Sequence, residues 1–244
     1  TTGMLAPGKV LPDVFGASAP ETNAGDLRTQ GYEIALDWNY KINSKIDVYA
    51  QATLSDYQTE VTKWNNPSNL ISDFYSGMVL GEIWGFETDR LFQVSDFDGQ
   101  DSKGVWIPKA GIASQASLQK GTFNFGLGDV KYANLNDDEV IGIGKGTKDD
   151  HGDLKVIGNT TPRYQYGFRL GGNFYGFDVD MFFQGVGKRD YWATSDLIQP
   201  LYNRTDALYQ HQLDFWTPEN TDAFFPNPYA GHATNAFKGV SGSN

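Results

Sequence analysis

Asn134, Asn136 and Asp138 place three oxygen-bearing side chains at alternate positions, followed by the apolar pair Val140-Ile141, within the run from Gly128 to Ile141. Calcium loops draw oxygen ligands from their first, third and fifth positions, so these residue types at this spacing are a candidate cation site. The match departs from that pattern at two places. Glu139 stands where a glycine normally makes the sharp turn, and Lys145 where a closing carboxylate belongs. Asp149, Asp150 and Asp153 complete a site only if the intervening loop folds back, and the departures favour a solvated acidic turn. No other cofactor is called for.

Aromatic rings are the second chemical resource. Trp64, Trp84, Trp106, Trp192 and Trp216, accompanied by Tyr75, Tyr191, Tyr202 and Tyr209, lie outside the regular segments described below. Ring faces stack on sugars, and nearby Asp, Asn and Arg can bond the hydroxyls, which makes these tryptophans candidate substrate-facing residues. The competing use is packing long loops against themselves. Catalytic constellations are scarce. The histidines are His151, His211 and His232, and the chain has no H-E-x-x-H, no G-x-S-x-G elbow and no Walker loop. Gly142-x-Gly144-x-Gly146 is too short for a dinucleotide fingerprint. Carboxylate pairs are unavoidable in a chain with 30 Asp+Glu against 19 Lys+Arg, so none singles out a glycosidase. A non-enzyme is expected. The net charge of −11 argues against nucleic acid, which needs a basic face.

The elements that position these residues read as β-structure. Of 244 residues, 14% are aromatic and 28 are glycine, with no cysteine and hence no disulfide or thiolate site. From Tyr32 to Ile42 the apolar residues Tyr32, Ile34, Leu36, Trp38, Tyr40 and Ile42 alternate with Glu33, Ala35, Asp37, Asn39 and Lys41. After Asn43-Ser44-Lys45, Ile46, Val48, Ala50, Ala52 and Leu54 alternate with Asp47, Tyr49, Gln51, Thr53 and Ser55. The pattern recurs after Pro162, with Tyr164 to Leu170 and then Phe177 to Phe183. Period-two alternation over this length predicts two hairpins, 31–56 and 163–187, each with one apolar and one charged face. Long connections at 57–162 and 188–244 suit a compact sandwich poorly, and suit a barrel with short turns on one side and long loops on the other. No stretch is long and apolar enough for a membrane helix, which leaves strands as the means of crossing. The N-terminal Thr-Thr-Gly-Met-Leu-Ala-Pro-Gly lacks a basic region followed by an apolar run, so a cytosolic chain, or a mature or partial one, is expected.

Several segments then carry a resemblance. Leu11 to Gly16, Pro20 to Glu33, Leu80-Gly81-Glu82-Ile83-Trp84-Gly85-Phe86, Gly128-Asp129-Val130-Lys131-Tyr132, Val156 to Phe168, and Phe182 to Asp190 closely resemble the SusC/RagA family of TonB-dependent outer-membrane transporters, in the family's order. In that family the stretch matching Asp129 to Ile141 often reads as a calcium-like loop. The resemblance implies an all-β antiparallel transmembrane β-barrel of 22 strands with an N-terminal plug. This chain would supply a C-terminal fragment of one barrel domain, with plug and TonB box missing. It further implies Bacteroidetes-type nutrient import across the Gram-negative outer membrane, with long loops extracellular. TonB acts through the missing N-terminal part, and a SusD-like surface lipoprotein sits over the loops. The implied partners also include the rest of the barrel, outer-membrane lipid and a glycan substrate. Two alternatives stay open: a peptide-importing RagA-like transporter, and a secreted β-sandwich carbohydrate-binding module whose apolar faces would pack against a second sheet.

Overall fold

The structure, a computed structural model, describes residues 1–6, 16, 21–119, 123–192, 201 and 207–228. Of the segments singled out above, 11–15, Tyr202 and His232 lie outside the described residues. The chain divides into two compact units, one of residues 1–69, 73–82 and 158–191, the other of 70–72, 83–157 and 192–244.

The first unit is one antiparallel sheet. Its strands are β1 (Met4–Ala6), β2 (Thr22–Asn43), β3 (Ile46–Lys63), β10 (Arg163–Phe174) and β11 (Phe177–Lys188), in the order β1-β2-β3-β10-β11. The alternation seen in the sequence becomes a register. Leu36 faces Ala52, Ala52 faces Phe168, and Phe168 faces Phe183, so one face is apolar across four strands. Asp37, Gln51, Arg169 and Phe182 align in the same way on the other face. Both hairpins close with two-residue turns. Tyr175 and Gly176 have φ of 53° and 92°, the left-handed pair whose twist matches that of the flanking strands.

The apolar face remains open among the described residues: Leu36 is 65% exposed, Trp38 54% and Met181 47%. Soluble monomers rarely show an apolar patch beyond a few hundred Å². A sandwich would have covered this face with a second sheet, and no such sheet packs on it among the described residues.

β2 and β3 exceed the lengths read from the sequence, 22 and 18 residues against a hairpin of 31–56. Pairing continues through Arg28–Glu60 and Asp26–Lys63. There Arg28, Gln30, Gln58 and Glu60 turn the formerly apolar face polar and the Leu27–Val61 pair falls on the other face, so the backbone ladder persists where the apolar alternation has stopped. At the border of this extension Gly31 admits no side chain, because a Cβ would lie 2.5 Å from the Asp56 carbonyl oxygen.

The second unit turns the long connection into a body with its own core. Its short strands are β4 (Glu82–Phe86), β5 (Thr88–Leu91), β6 (Phe97–Gln100), β7 (Trp106–Pro108), β8 (Val130–Tyr132) and β9 (Leu154–Asn159), paired as β4-β9, β5-β8 and β6-β7. Phe86, Phe92, Phe97, Phe123, Phe125, Val130, Tyr132, Ile141 and Leu154 form its buried cluster. Strands this short leave backbone groups unmatched, and buried side chains complete them. Gln115 accepts from Tyr132 N at 2.7 Å and donates to the Val130 carbonyl at 3.0 Å, standing in for a neighbouring strand on β8. Asp153, fully buried, accepts from Leu135 N and Gly142 N, each at 2.8 Å, and so ties both ends of the 135–142 loop. Among the described residues there is no α-helix, and no helix is long and apolar enough to cross a membrane; a β-barrel crosses with strands.

Candidate functional site

The polar face of the sheet is the surface with chemistry in it. β3, β10 and β11 present Tyr49, Arg169 and Asp180 side by side. Arg169 Nε donates to Asp180 Oδ1 at 2.9 Å, Nη2 donates to Oδ2, and the guanidinium carbon lies 5.7 Å from the Tyr49 ring centroid. Gly171 lies beneath that ring, and a Cβ there would collide with the Tyr49 hydroxyl. Gln51, Thr53, Arg169, Asp180 and Phe182 line a recess of about 570 Å³. Exposed ion pairs contribute only about 0–1 kcal/mol to stability. Their effect is to fix donors and acceptors at set positions on an exposed face.

The sequence groups Asp37, Asp47, Arg163, Arg169, Asp178 and Asp180 on this face, and most of them sit there. Asp178 accepts from Asn173 Nδ2 at 2.8 Å, and Asp47 faces Lys41. Arg163 differs. Its Nε and Nη2 donate to the two carboxylate oxygens of Asp56, each at 2.5 Å, and Asp56 stands in register with Tyr32 on the parity of the apolar face. A left-handed residue, Tyr164 at φ 54°, breaks the alternation beside it. Phe182, 64% exposed, is the residue this reading of charges passes over. Its signal is in the sequence: it is a phenylalanine at a polar position of β11.

The candidate tryptophans are spread over both units. In the first, Trp64 meets Phe74 edge-on at 5.0 Å and covers Gly25, where a Cβ would come within 2.8 Å of its ring. In the second, Trp84 lies 5.3 Å from His151, and Trp106 lies 5.4 Å from Phe97 and against Gly126. Trp216 is 4% exposed, seated on Gly128, with Nε1 donating to Gln93 Oε1 at 3.3 Å. Trp192 follows β11 and is half-buried. Trp84 and Trp106 share the phenylalanine core, and packing occupies at least one ring face of Trp64, Trp106 and Trp216.

The Asn134–Asn136–Asp138 run is a turn closed by its own side chains. Asp138 Oδ1 accepts from Val140 N at 2.8 Å and Oδ2 from Asn136 Nδ2 at 2.8 Å, while Asn136 Oδ1 accepts from Asp138 N at 3.1 Å. Asn134 Nδ2 donates to the Asp138 carbonyl, and Asp137 is left-handed at φ 58°. Calcium here requires the amides to release the carboxylate first. Among the described residues no group of three or more His, Asp or Glu side chains converges on a metal position. An ion pair with a buried carboxylate lies elsewhere in the second unit. Asp96 is buried and takes Arg90 Nη1 and Nη2 at 2.6 Å each and Gln93 N at 2.8 Å, and the guanidinium holds its carboxyl below the usual carboxylate range.

No protein-family model matches the chain. In sequence it is 24% identical over 233 residues to TonB-dependent receptor P3 of Formosa agariphila, covering 93% of this chain and 21% of that protein. In fold it is similar to the RagAB peptide transporter, at 18% identity and TM-score 0.52, over 96% of this chain and 23% of the other. Against the RagAB peptide importer in its open-open state the TM-score is 0.56 at 16% identity, over 95% and 23% of the two chains. The chain thus spans between a fifth and a quarter of the length of these relatives. The chain is thus an all-β antiparallel sheet with one open apolar face and a second unit of short strands, similar in sequence to part of a TonB-dependent receptor and in fold to part of RagAB.

Proposed function

We propose that the chain is a wall-and-loop portion of an outer-membrane β-barrel that imports oligosaccharides, energised through TonB and working with a SusD-like surface lipoprotein. The observation that carries this is the apolar face that runs in register across β2, β3, β10 and β11 and stays open. Tyr32 to Ile42 spans ten steps; at about 3.4 Å each and a tilt of about 40° this rises about 26 Å, the height of a barrel's apolar band. Tyr32 and Tyr166 stand at one end of the band, Tyr40 and Phe174 at the other, as aromatic girdles do.

On this reading the Tyr49–Arg169–Asp180 face with Phe182 is lumen wall, and the second unit belongs to the extracellular loops beneath the lipoprotein. The chain does no chemistry on its cargo. Trp64, Trp84, Trp106 and Trp192, each half-buried, are the rings offered to sugars, while Trp216 is taken up by packing, and the Asn134–Asp138 turn is the place for calcium. The similarity to RagAB favours one second reading, a peptide cargo. The test uses the full-length protein in an outer-membrane host with labelled oligosaccharides and labelled peptides. Oligosaccharide uptake that stops when TonB is deleted is the expected result. TonB-dependent peptide uptake selects the second reading, and accumulation of neither overturns import.

A further inference from the structure

We propose that a polar recess at the end of the apolar face binds the sugar headgroup of a membrane lipid, with the acyl chains lying along the band. This rests on the barrel reading above.

The recess, about 310 Å³, is bounded by Gln30, Tyr32, Gln58 and two ion pairs, Arg28–Glu60 and Arg163–Asp56. Its position follows from the register. Ile34 faces Leu54, and one pair further on Tyr32 faces Asp56, then Gln30 faces Gln58 and Arg28 faces Glu60. All these residues share one parity, so the side that would face lipid changes at Tyr32 from aliphatic to hydrogen-bonding without leaving the same two strands. An amphiphile fits such a boundary, because each half of the site matches one half of the ligand.

The site is also built. Tyr164 holds φ 54°, which a non-glycine residue rarely adopts, and such strain persists only where surrounding contacts fix it. Three contacts fix it: Arg163 grips Asp56 with two donors, its guanidinium carbon lies 5.2 Å from the Tyr164 ring centroid, and Tyr164 N donates to Asp56 Oδ1 at 3.3 Å. Without that irregularity Arg163 would share the parity of Gln165 on the opposite face.

Charge decides the headgroup. Both guanidiniums are already neutralised by a carboxylate, Asp56 buried and Glu60 at 2.5 Å from Arg28, so a phosphate would find no spare positive charge. What is left to bond a ligand are the exposed amides of Gln30 and Gln58, the phenol of Tyr32, and the ring face of Tyr32, 46% exposed. Amides and a phenol beside an aromatic face suit hydroxyl groups and the apolar side of a sugar ring.

The test purifies the full-length protein, reconstitutes it in nanodiscs with equal amounts of a monoglycosyl diacylglycerol and a phosphatidylglycerol of the same acyl chains, and counts lipids retained by native mass spectrometry. The expected result is about tenfold preferential retention of the glycolipid, lost in Gln30→Ala/Gln58→Ala and kept in Gln51→Ala/Gln184→Ala on the other face. Equal retention of both lipids, preference for phosphatidylglycerol, or no change in the double variant overturns the proposal. Displacement of the glycolipid by free disaccharide at equal concentration overturns its amphiphile component. Heat-modifiable electrophoretic mobility of the same samples reports separately whether a barrel has formed. A barrel without glycolipid preference defeats this site alone, and a protein that never becomes heat-modifiable defeats the barrel reading with it.

Discussion

The two units use the same residue types in opposite ways. In the sheet, Leu36, Trp38, Phe168 and Met181 point outward, and no side chains from the described residues cover them. In the second unit Phe86, Phe92, Phe97 and Phe125 are hidden, and buried acids such as Asp96 and Asp153 are held by backbone N–H groups and a guanidinium. Acids of the sheet such as Asp180 lie open and pair across strands. On the barrel reading proposed above, the difference is one of solvent. Where the surroundings are hydrocarbon, apolar side chains go out and every backbone group must be paired in the ladder. Where the surroundings are water, rings go in and polar side chains finish backbone that short strands leave incomplete.

The strongest challenge to this contrast is Phe86→Ala, which removes a ring 1% exposed, 5.2 Å from Tyr132. A loss of about 3–5 kcal/mol is expected, confined to the second unit. Hydrogen exchange on the full-length protein should show protection falling at Val130–Tyr132 and unchanged at Leu36 and Ala52. A fall in both regions would mean the units do not fold separately. Leu36→Arg probes the other side, at an expected cost of about 2–4 kcal/mol for a cation in the band. The folded fraction in lipid should drop for Leu36→Arg and hold for Gln51→Arg; equal effects would deny the sheet its two faces.

Asp96→Asn sharpens the comparison through pH. The Arg90 guanidinium lowers the folded pKa of Asp96 below its ordinary 3.8, so its stabilisation is complete above that value and is lost as pH falls through the folded pKa. The wild-type second unit should therefore lose hydrogen-exchange protection below about pH 3.8. Asp96→Asn should cost about 1.5–3 kcal/mol at neutral pH and flatten that acid dependence. An unchanged acid limb would assign the loss to other carboxyls. The smallest effect belongs to Arg169→Ala, because the pair with Asp180 is exposed and solvent screens it. Its expected consequence is altered cargo uptake with thermal unfolding unmoved.

The sheet was legible because alternation is a local signal with a period of two. Tyr32 to Ile42 and Ile46 to Leu54 could be assigned to faces without knowing their neighbours. The extensions through Arg28, Gln30, Gln58 and Glu60 were not, since there the face that is apolar further along the strands turns polar and the apolar Leu27–Val61 pair falls on the other face. Arg163 was misplaced by the same rule, one residue from the left-handed Tyr164 that suspends it. The second unit was invisible as a body. Phe86, Phe123 and Ile141 are far apart in sequence, and nothing in the composition separates buried Asp153 from the solvated Asp149. The Asn134–Asp138 spacing was read as ligand geometry, yet the same step of two is what side-chain-closed turns use.

The placement of the six tryptophans has an optical consequence. Trp38 alone among them lies on the apolar face of the sheet, while Trp84, Trp106, Trp192 and Trp216 belong to the second unit and Trp64 to the polar end of the first. The emission of this protein is therefore sorted by region. On the barrel reading, lipids brominated on their acyl chains should darken the Trp38 contribution and spare the others, so one spectrum, taken with and without such lipids, tests whether the apolar face of the sheet meets hydrocarbon.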